Sequence, residues 1–148
     1  MDTKGSRKVA LLSIRPDYTE QIVNGTKQVE FRRTLFPTSL EHIVIYCTTP
    51  LQKVVGFFSI SNIIHAAPEV LWDKYQDVGG ISEDAFRSYY SGCNKGTAIE
   101  IGKLFTLRTA ISLQELDTSL TAPQCIRYLA PDYIRVLRTY RRRRILQW

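Results

Sequence analysis

Apolar and polar positions divide the chain into short, distinct blocks. Val9 to Ile14 is an apolar run of strand length. Asp17 and Glu20 follow at capping-box spacing, just ahead of Ile22 and Val23, and predict a short helix. Gly25 is placed to end that helix, since glycine tolerates the left-handed cap conformation. Gln28 to Arg33 then alternates, with Val29 and Phe31 on one side and Gln28, Glu30 and Arg32 on the other. That period of two predicts a half-buried strand with a carboxylate and a guanidinium on its polar face.

Ile43–Thr48 and Val54–Ile60 are rich in β-branched and aromatic residues and predict two further strands. Pro68 fits the first turn of a helix reaching about Gln76, and Ser82, followed by Glu83 and Asp84, caps another that stops before Gly92. Thr97–Ile101 and Leu104–Ile111 return to strand. Pro123 and Pro131 are placed as helix openers, for a short helix through Tyr128 and a basic one after Asp132. The expected class is α+β, a small barrel of roughly six strands with peripheral helices.

At 148 residues the chain is of single-domain size, and 44% hydrophobic with 23% charged residues excludes wholesale disorder. No apolar run approaches the ~20 residues that span a bilayer, so no membrane partner is expected. Cys47, Cys93 and Cys125 are widely spaced and odd in number. They fit a reducing, cytoplasmic compartment and neither a disulfide framework nor a zinc knuckle. His42 and His65 lie apart from any ligand or triad pattern, and no cofactor or metal is expected.

Charge alters the picture at one end of the chain. Arg135, Arg138, Arg141, Arg142, Arg143 and Arg144 account for the whole excess of 20 Lys+Arg over 14 Asp+Glu. The chain divides accordingly into a domain over residues 1–132 and an arginine-rich helix or tail over 133–148, packed on the domain or projecting from it. A confined basic cluster of this kind suits a polyanion, with phosphate contacts from the arginines and stacking from Tyr140 or Trp148. The alternatives are a solvated tail that serves solubility and a dock for an acidic protein partner.

The second chemical signal is Gly25-Thr26-Lys27-Gln28-Val29-Glu30-Phe31-Arg32-Arg33. Lys27 and Arg32 can bind phosphate, while Glu30 can accept from a base amino group or orient one of the cations. An intrastrand Glu30–Arg32 pair closing a polar patch is the plainer alternative. Tyr46, on the opposite strand face from Ile43 and Ile45, joins Lys27 and Glu30 as a candidate for proton transfer in metal-independent RNA cleavage, its plainer alternative being a rim aromatic packed under a loop.

This block, preceded by Leu11-Leu12-Ser13-Ile14-Arg15-Pro16-Asp17-Tyr18, resembles the opening of the ASCH domain (activating signal cointegrator homology). Val54-Val55-Gly56-Phe57-Phe58, Trp72, Thr97–Ile101 and Pro123-Gln124-Cys125-Ile126-Arg127-Tyr128 fall where that family continues, so the resemblance spans residues 8 to 129. It implies a PUA-like fold, a small twisted β-barrel with helices at its rim and a charged cleft for RNA or other nucleic acid, and we expect RNA before DNA. By position, Arg15, Lys27, Glu30 and Arg32 line that cleft, and Arg127 with Tyr128 completes its wall. One branch of the family resembles an amidohydrolase with a threonine three residues after the lysine. Glu30 stands there in this chain, so that activity is not expected.

Overall fold

The structure is a computed structural model and describes residues 7–141. The elements are β1 (Val9–Ile14), α1 (Pro16–Val23), β2 (Val29–Arg32), β3 (His42–Cys47), β4 (Lys53–Ala66), α2 (Pro68–Tyr75), α3 (Glu83–Tyr89), β5 (Gly96–Ile111), α4 (Leu113–Leu116), β6 (Ile126–Leu129) and α5 (Asp132–Arg138). The strands form one mixed sheet in the order β2-β5-β4-β3-β1-β6, parallel between β1 and β3 and antiparallel elsewhere. The sheet curls into a half-barrel, which is the α+β, PUA-like arrangement expected from the sequence.

The apolar runs of β1 and β3 follow from burial on both faces. Val9, Leu11, Val44, Tyr46 and Phe57 enter one core cluster, which α4 and α5 cover through Leu113, Ile134 and Leu137. The alternate residues Ala10, Leu12, Ile14, Ile43, Ile45 and Phe58 enter a second cluster, completed by Ile22 of α1. A third, smaller cluster joins Val29 and Phe31 of β2 to Leu71, Tyr75, Phe86 and Tyr90 from the α2–α3 region. Helices α1 and α3 therefore lie on the side of the sheet where β2 curls round, and α5 lies on the other.

Several local expectations change in the folded chain. Arg15 is the N-cap of α1 and Pro16 its first residue, so Asp17 sits inside the first turn and pairs with Arg15 at 3.3 Å. Gly25, at φ +88°, does follow the helix end. The two strands expected over 97–101 and 104–111 are one strand with a bulge, because Lys103 N donates to Ser59 Oγ at 2.9 Å where β4 also shifts register. β4 itself continues past Ile60 to Ala66. The helix expected after Pro123 is strand β6: Ser13 Oγ donates to Pro123 O at 2.7 Å and Ser13 N to Cys125 O at 3.2 Å, which holds the segment extended alongside β1. α4, closed by a Ser112–Glu115 capping box, was legible in the sequence but not anticipated.

The basic C-terminal segment is helical only to Arg138. Ile134 and Leu137 are buried, and Arg138 lies over the rings of Phe105 (5.0 Å) and Phe57 (5.6 Å). The chain then turns back along β5, with Arg108 N donating to Tyr140 O at 2.8 Å and Arg141 bridging Leu107. Arg142, Arg143, Arg144 and Trp148 lie outside the described residues. Among the described residues no helix is long and apolar enough to cross a membrane.

Candidate functional site

The sheet has β2 at one edge and β6 at the other, and these two edges are not paired by backbone hydrogen bonds. Side chains instead link β2 to the C-terminal end of β1, along a seam. Arg32, on β2, donates from Nη2 to Ser13 O of β1 at 2.9 Å. The same guanidinium donates from Nε to Glu30 Oε2 at 2.9 Å, and its Nη2 makes an ion pair with that oxygen at 2.9 Å. Glu30 Oε1 faces the Lys27 ammonium at 3.7 Å, and Lys27 Nζ donates to Gly79 O at 2.5 Å. One carboxylate thus lies between two cations.

These groups are not surface charges. Lys27 is 3% exposed and Glu30 6%, while the Arg32 side chain retains 12%. Desolvation holds the Lys27 ammonium below its ordinary range, and the neighbouring Glu30 carboxylate works against that shift. The Lys27 ammonium is close to two rings, its Nζ 4.9 Å from the centroid of Tyr18 and 5.4 Å from that of Phe31. The intrastrand pair weighed as a surface alternative is real, but it is buried and shared with a lysine.

The seam opens into a cavity of about 410 Å³, within the usual range for a small-ligand site. Arg15, Lys27, Glu30 and Arg32 line it together. So do Tyr18 of α1, Phe31 of β2, Ile81, and Ser88 and Tyr89 of α3. Three cations face one carboxylate, so the lining is net positive. Burial pushes both the Tyr18 and the Tyr89 hydroxyl up from the usual tyrosine range, which keeps them neutral at physiological pH. Arg33, expected on the far side of the strand, covers the outer face of Tyr89, its guanidinium carbon 4.9 Å from the ring centroid. Its backbone N–H donates to the Tyr89 hydroxyl at 3.1 Å.

A glycine pair seats the loop that covers Lys27. A Cβ on Gly79 would lie 2.7 Å from the Phe31 ring. Gly80 has φ +64°, and a Cβ there would meet Gln21 Oε1 at 2.2 Å and Lys27 Cβ at 3.0 Å. Gly80→Ala is therefore expected to cost about 1–2 kcal/mol from the left-handed backbone alone. A lowered midpoint in urea unfolding measures it, and an unchanged midpoint would show that the loop is not held as described.

Other residues named from the sequence lie elsewhere. Arg127 and Tyr128 do not line the cavity: Arg127 is exposed in the field of Asp117 and Tyr133, and Tyr128 is covered by Arg7 at 5.2 Å. Pairing of β6 with β1 turns Arg127 to the Leu11 face, away from Ile14 and the seam. Arg138 and Arg141 are on that same far side with α5, so they do not project beside the cleft. Tyr46 is likewise separated from Lys27 and Glu30. It is 7% exposed in the α5-side cluster and lines a different cavity of about 260 Å³ with Gln52, Leu113, Gln114, Thr121 and Ala122. Its hydroxyl has no hydrogen-bond partner among the described residues. Tyr89 and Ser88 were not anticipated, since the N-cap at Ser82 identifies their helix but nothing local shows that it packs on β2.

The chain is 32% identical over 129 residues to the ASCH domain-containing ribonuclease of Zymomonas mobilis, across 85% of this chain and 87% of that protein. The chain belongs to the ASCH family. The crystal structure of the ASCH protein from Zymomonas mobilis superposes with a TM-score of 0.80 at 31% identity, covering 93% of this chain and 98% of that one. The N-terminal domain of Staphylothermus marinus McrB shares the fold alone, at TM-score 0.53 and 10% identity over 88% of this chain and 93% of that one. Comparison with models of known protein families gives no match. The seam cleft of this ASCH domain thus sits at the block that carried the resemblance, Gly25 to Arg33.

Proposed function

We propose that this ASCH domain is an RNA-binding module that receives a single-stranded nucleotide or an extruded base in the seam cleft. The observation that carries the reading is the pairing of a net-positive, hydrogen-bonding floor with tyrosine walls in one cavity. Lys27, with Arg32, forms the floor, Glu30 holds both in place, and Tyr18 and Tyr89 offer faces for stacking. Arg15 is exposed at the mouth, where it can meet phosphate. RNA is favoured over DNA because the Zymomonas relative is named a ribonuclease. We place the protein in the cytoplasm, where the free thiols Cys47, Cys93 and Cys125 remain reduced.

Arg127, Arg138, Arg141, Arg142, Arg143 and Arg144 are assigned to a second, auxiliary contact, since the first three lie away from the cleft. An acidic protein bound through the tail is the competing use of these arginines. Fluorescence anisotropy with labelled single-stranded RNA across a salt series tests both levels. Salt-sensitive binding, weaker for DNA of the same sequence, is the expected result. Replacing Arg141 to Arg144 with glutamine is expected to reduce the log–log salt slope by up to about 3, because fewer phosphates are neutralised. An unaltered slope would remove the tail from nucleic-acid binding.

The relative's name also supports a second reading, RNA cleavage. A gel of the same samples separates the two, because a binder leaves the RNA intact and a ribonuclease shortens it. Were the RNA shortened, Tyr46 and Lys27 would be replaced separately, since the fold puts them in different cavities.

A further inference from the structure

Among the described residues three arginines lie over tyrosine rings: Arg33 over Tyr89 at 4.9 Å, Arg7 over Tyr128 at 5.2 Å and Arg15 over Tyr18 at 5.4 Å. All three pairs are on one side of the sheet. Tyr18 and Tyr89 line the seam cavity, while Tyr18 and Tyr128 pack against the same core cluster. Two pairs thus belong to the cavity wall, and the Arg7–Tyr128 pair stands outside it.

Strand register gives the distance between them. Tyr128 pairs with Ala10, three residues along β1 from Ser13, whose carbonyl accepts from Arg32. At about 3.3 Å per residue the two points are about 10 Å apart, roughly three base steps at duplex spacing and fewer in a stretched single strand. The outer edge of β6, which no other strand covers, runs between them. Its first end is at the seam, where Cys125 O accepts from Ser13 N at 3.2 Å. At its other end Arg7 is exposed, and its backbone is held by Ser39 Oγ, which donates to Arg7 O at 3.4 Å. Glu41, bound through its N–H to Lys8 O, pairs with Lys8 at 4.0 Å and leaves Arg7 without an acid partner among the described residues.

A guanidinium lying over an aromatic ring keeps its outer face for a base and its edge N–H groups for phosphate. We propose, resting on the RNA-binding reading, that RNA held in the seam cleft continues along the β6 edge and stacks a flanking base on the Arg7–Tyr128 pair. The cations at both ends suit the phosphates between them, and the path is continuous with the cleft.

The test is anisotropy with labelled oligouridines of about three and about nine residues, one filling the cleft and one long enough to reach Arg7. The ratio of the two affinities is compared between variants, so the extra registers open to the longer RNA cancel. Arg7→Ala is expected to reduce that ratio at least about fivefold, through weaker binding of the longer RNA alone. Arg7→Lys keeps the charge without the planar face, so it should recover less than half of the loss on a logarithmic scale. An unchanged ratio in Arg7→Ala, or full recovery in Arg7→Lys, would overturn the proposal and leave the RNA-binding reading standing. No binding of either oligouridine would remove that reading and the proposal together.

Discussion

Glu30→Gln is expected to lower folding stability by about 3–5 kcal/mol, the cost of leaving buried charge without its partner. Glu30 is 6% exposed and pairs with both Arg32 and Lys27, so glutamine would leave two neighbouring buried cations with no countercharge. Small domains are stable by about 5–15 kcal/mol in total, which makes this loss easy to read as a shift in urea midpoint. The deficit should also shrink at alkaline pH. Desolvation already lowers the Lys27 pKa from its ordinary 10.5, and Glu30 is its chief opposing influence. Without Glu30 the folded state sheds the Lys27 proton more readily than the unfolded chain does. Stability then rises with pH between the folded pKa and 10.5, because the unfolded state binds more protons there. A loss under about 1 kcal/mol, or one that grows with pH, would show that Lys27 and Arg32 do not depend on Glu30.

Tyr89→Ala carries the second large effect, on binding instead of folding. Tyr89 is half-buried at the end of α3, and its ring separates Arg33 from the cavity. Removing a stacking face costs about 1–3 kcal/mol per base, so RNA affinity should fall by roughly 5- to 150-fold. Circular dichroism should remain that of the unmodified protein, since Phe86 and Tyr90 carry the helix's core contacts. Unchanged affinity would remove Tyr89 from the site. Lys27 and Arg32 serve this purpose less well, because their burial means that alanine at either position would disturb the seam as well as the ligand.

Much of the site was legible because strand alternation is a strong local rule. It puts Glu30 and Arg32 on one face of β2 whatever the rest of the chain does. Lys27 joins them through a turn of three residues. What the sequence did not show depends on contacts between distant elements. Gly79 O becomes the acceptor for Lys27 across 52 residues, and Tyr89 reaches the cavity because Phe86 packs on Phe31 at 4.9 Å. The side on which the basic segment lies depends on distant contacts in the same way. A helix after Pro123 would have left α5 free to lie beside the cleft, whereas β6 pairs with β1 and α5 falls on the Leu11 face. The strand miscounts have a local cause: Gly102-Lys103 breaks the alternation in sequence, while the bulge at Ser59 carries β5 through it.

The central claim is that RNA enters the seam cleft and not the cavity around Tyr46. Amide chemical-shift mapping of isotope-labelled protein, titrated with unlabelled single-stranded RNA, tests it most directly. Shifts should concentrate at Arg15, Tyr18, Lys27, Arg32, Gly79 and Tyr89, on the α1–α3 side of the sheet. Shifts centred on Tyr46, Gln52, Gln114 and Thr121, with the seam residues unmoved, would contradict the account and place RNA on the opposite face.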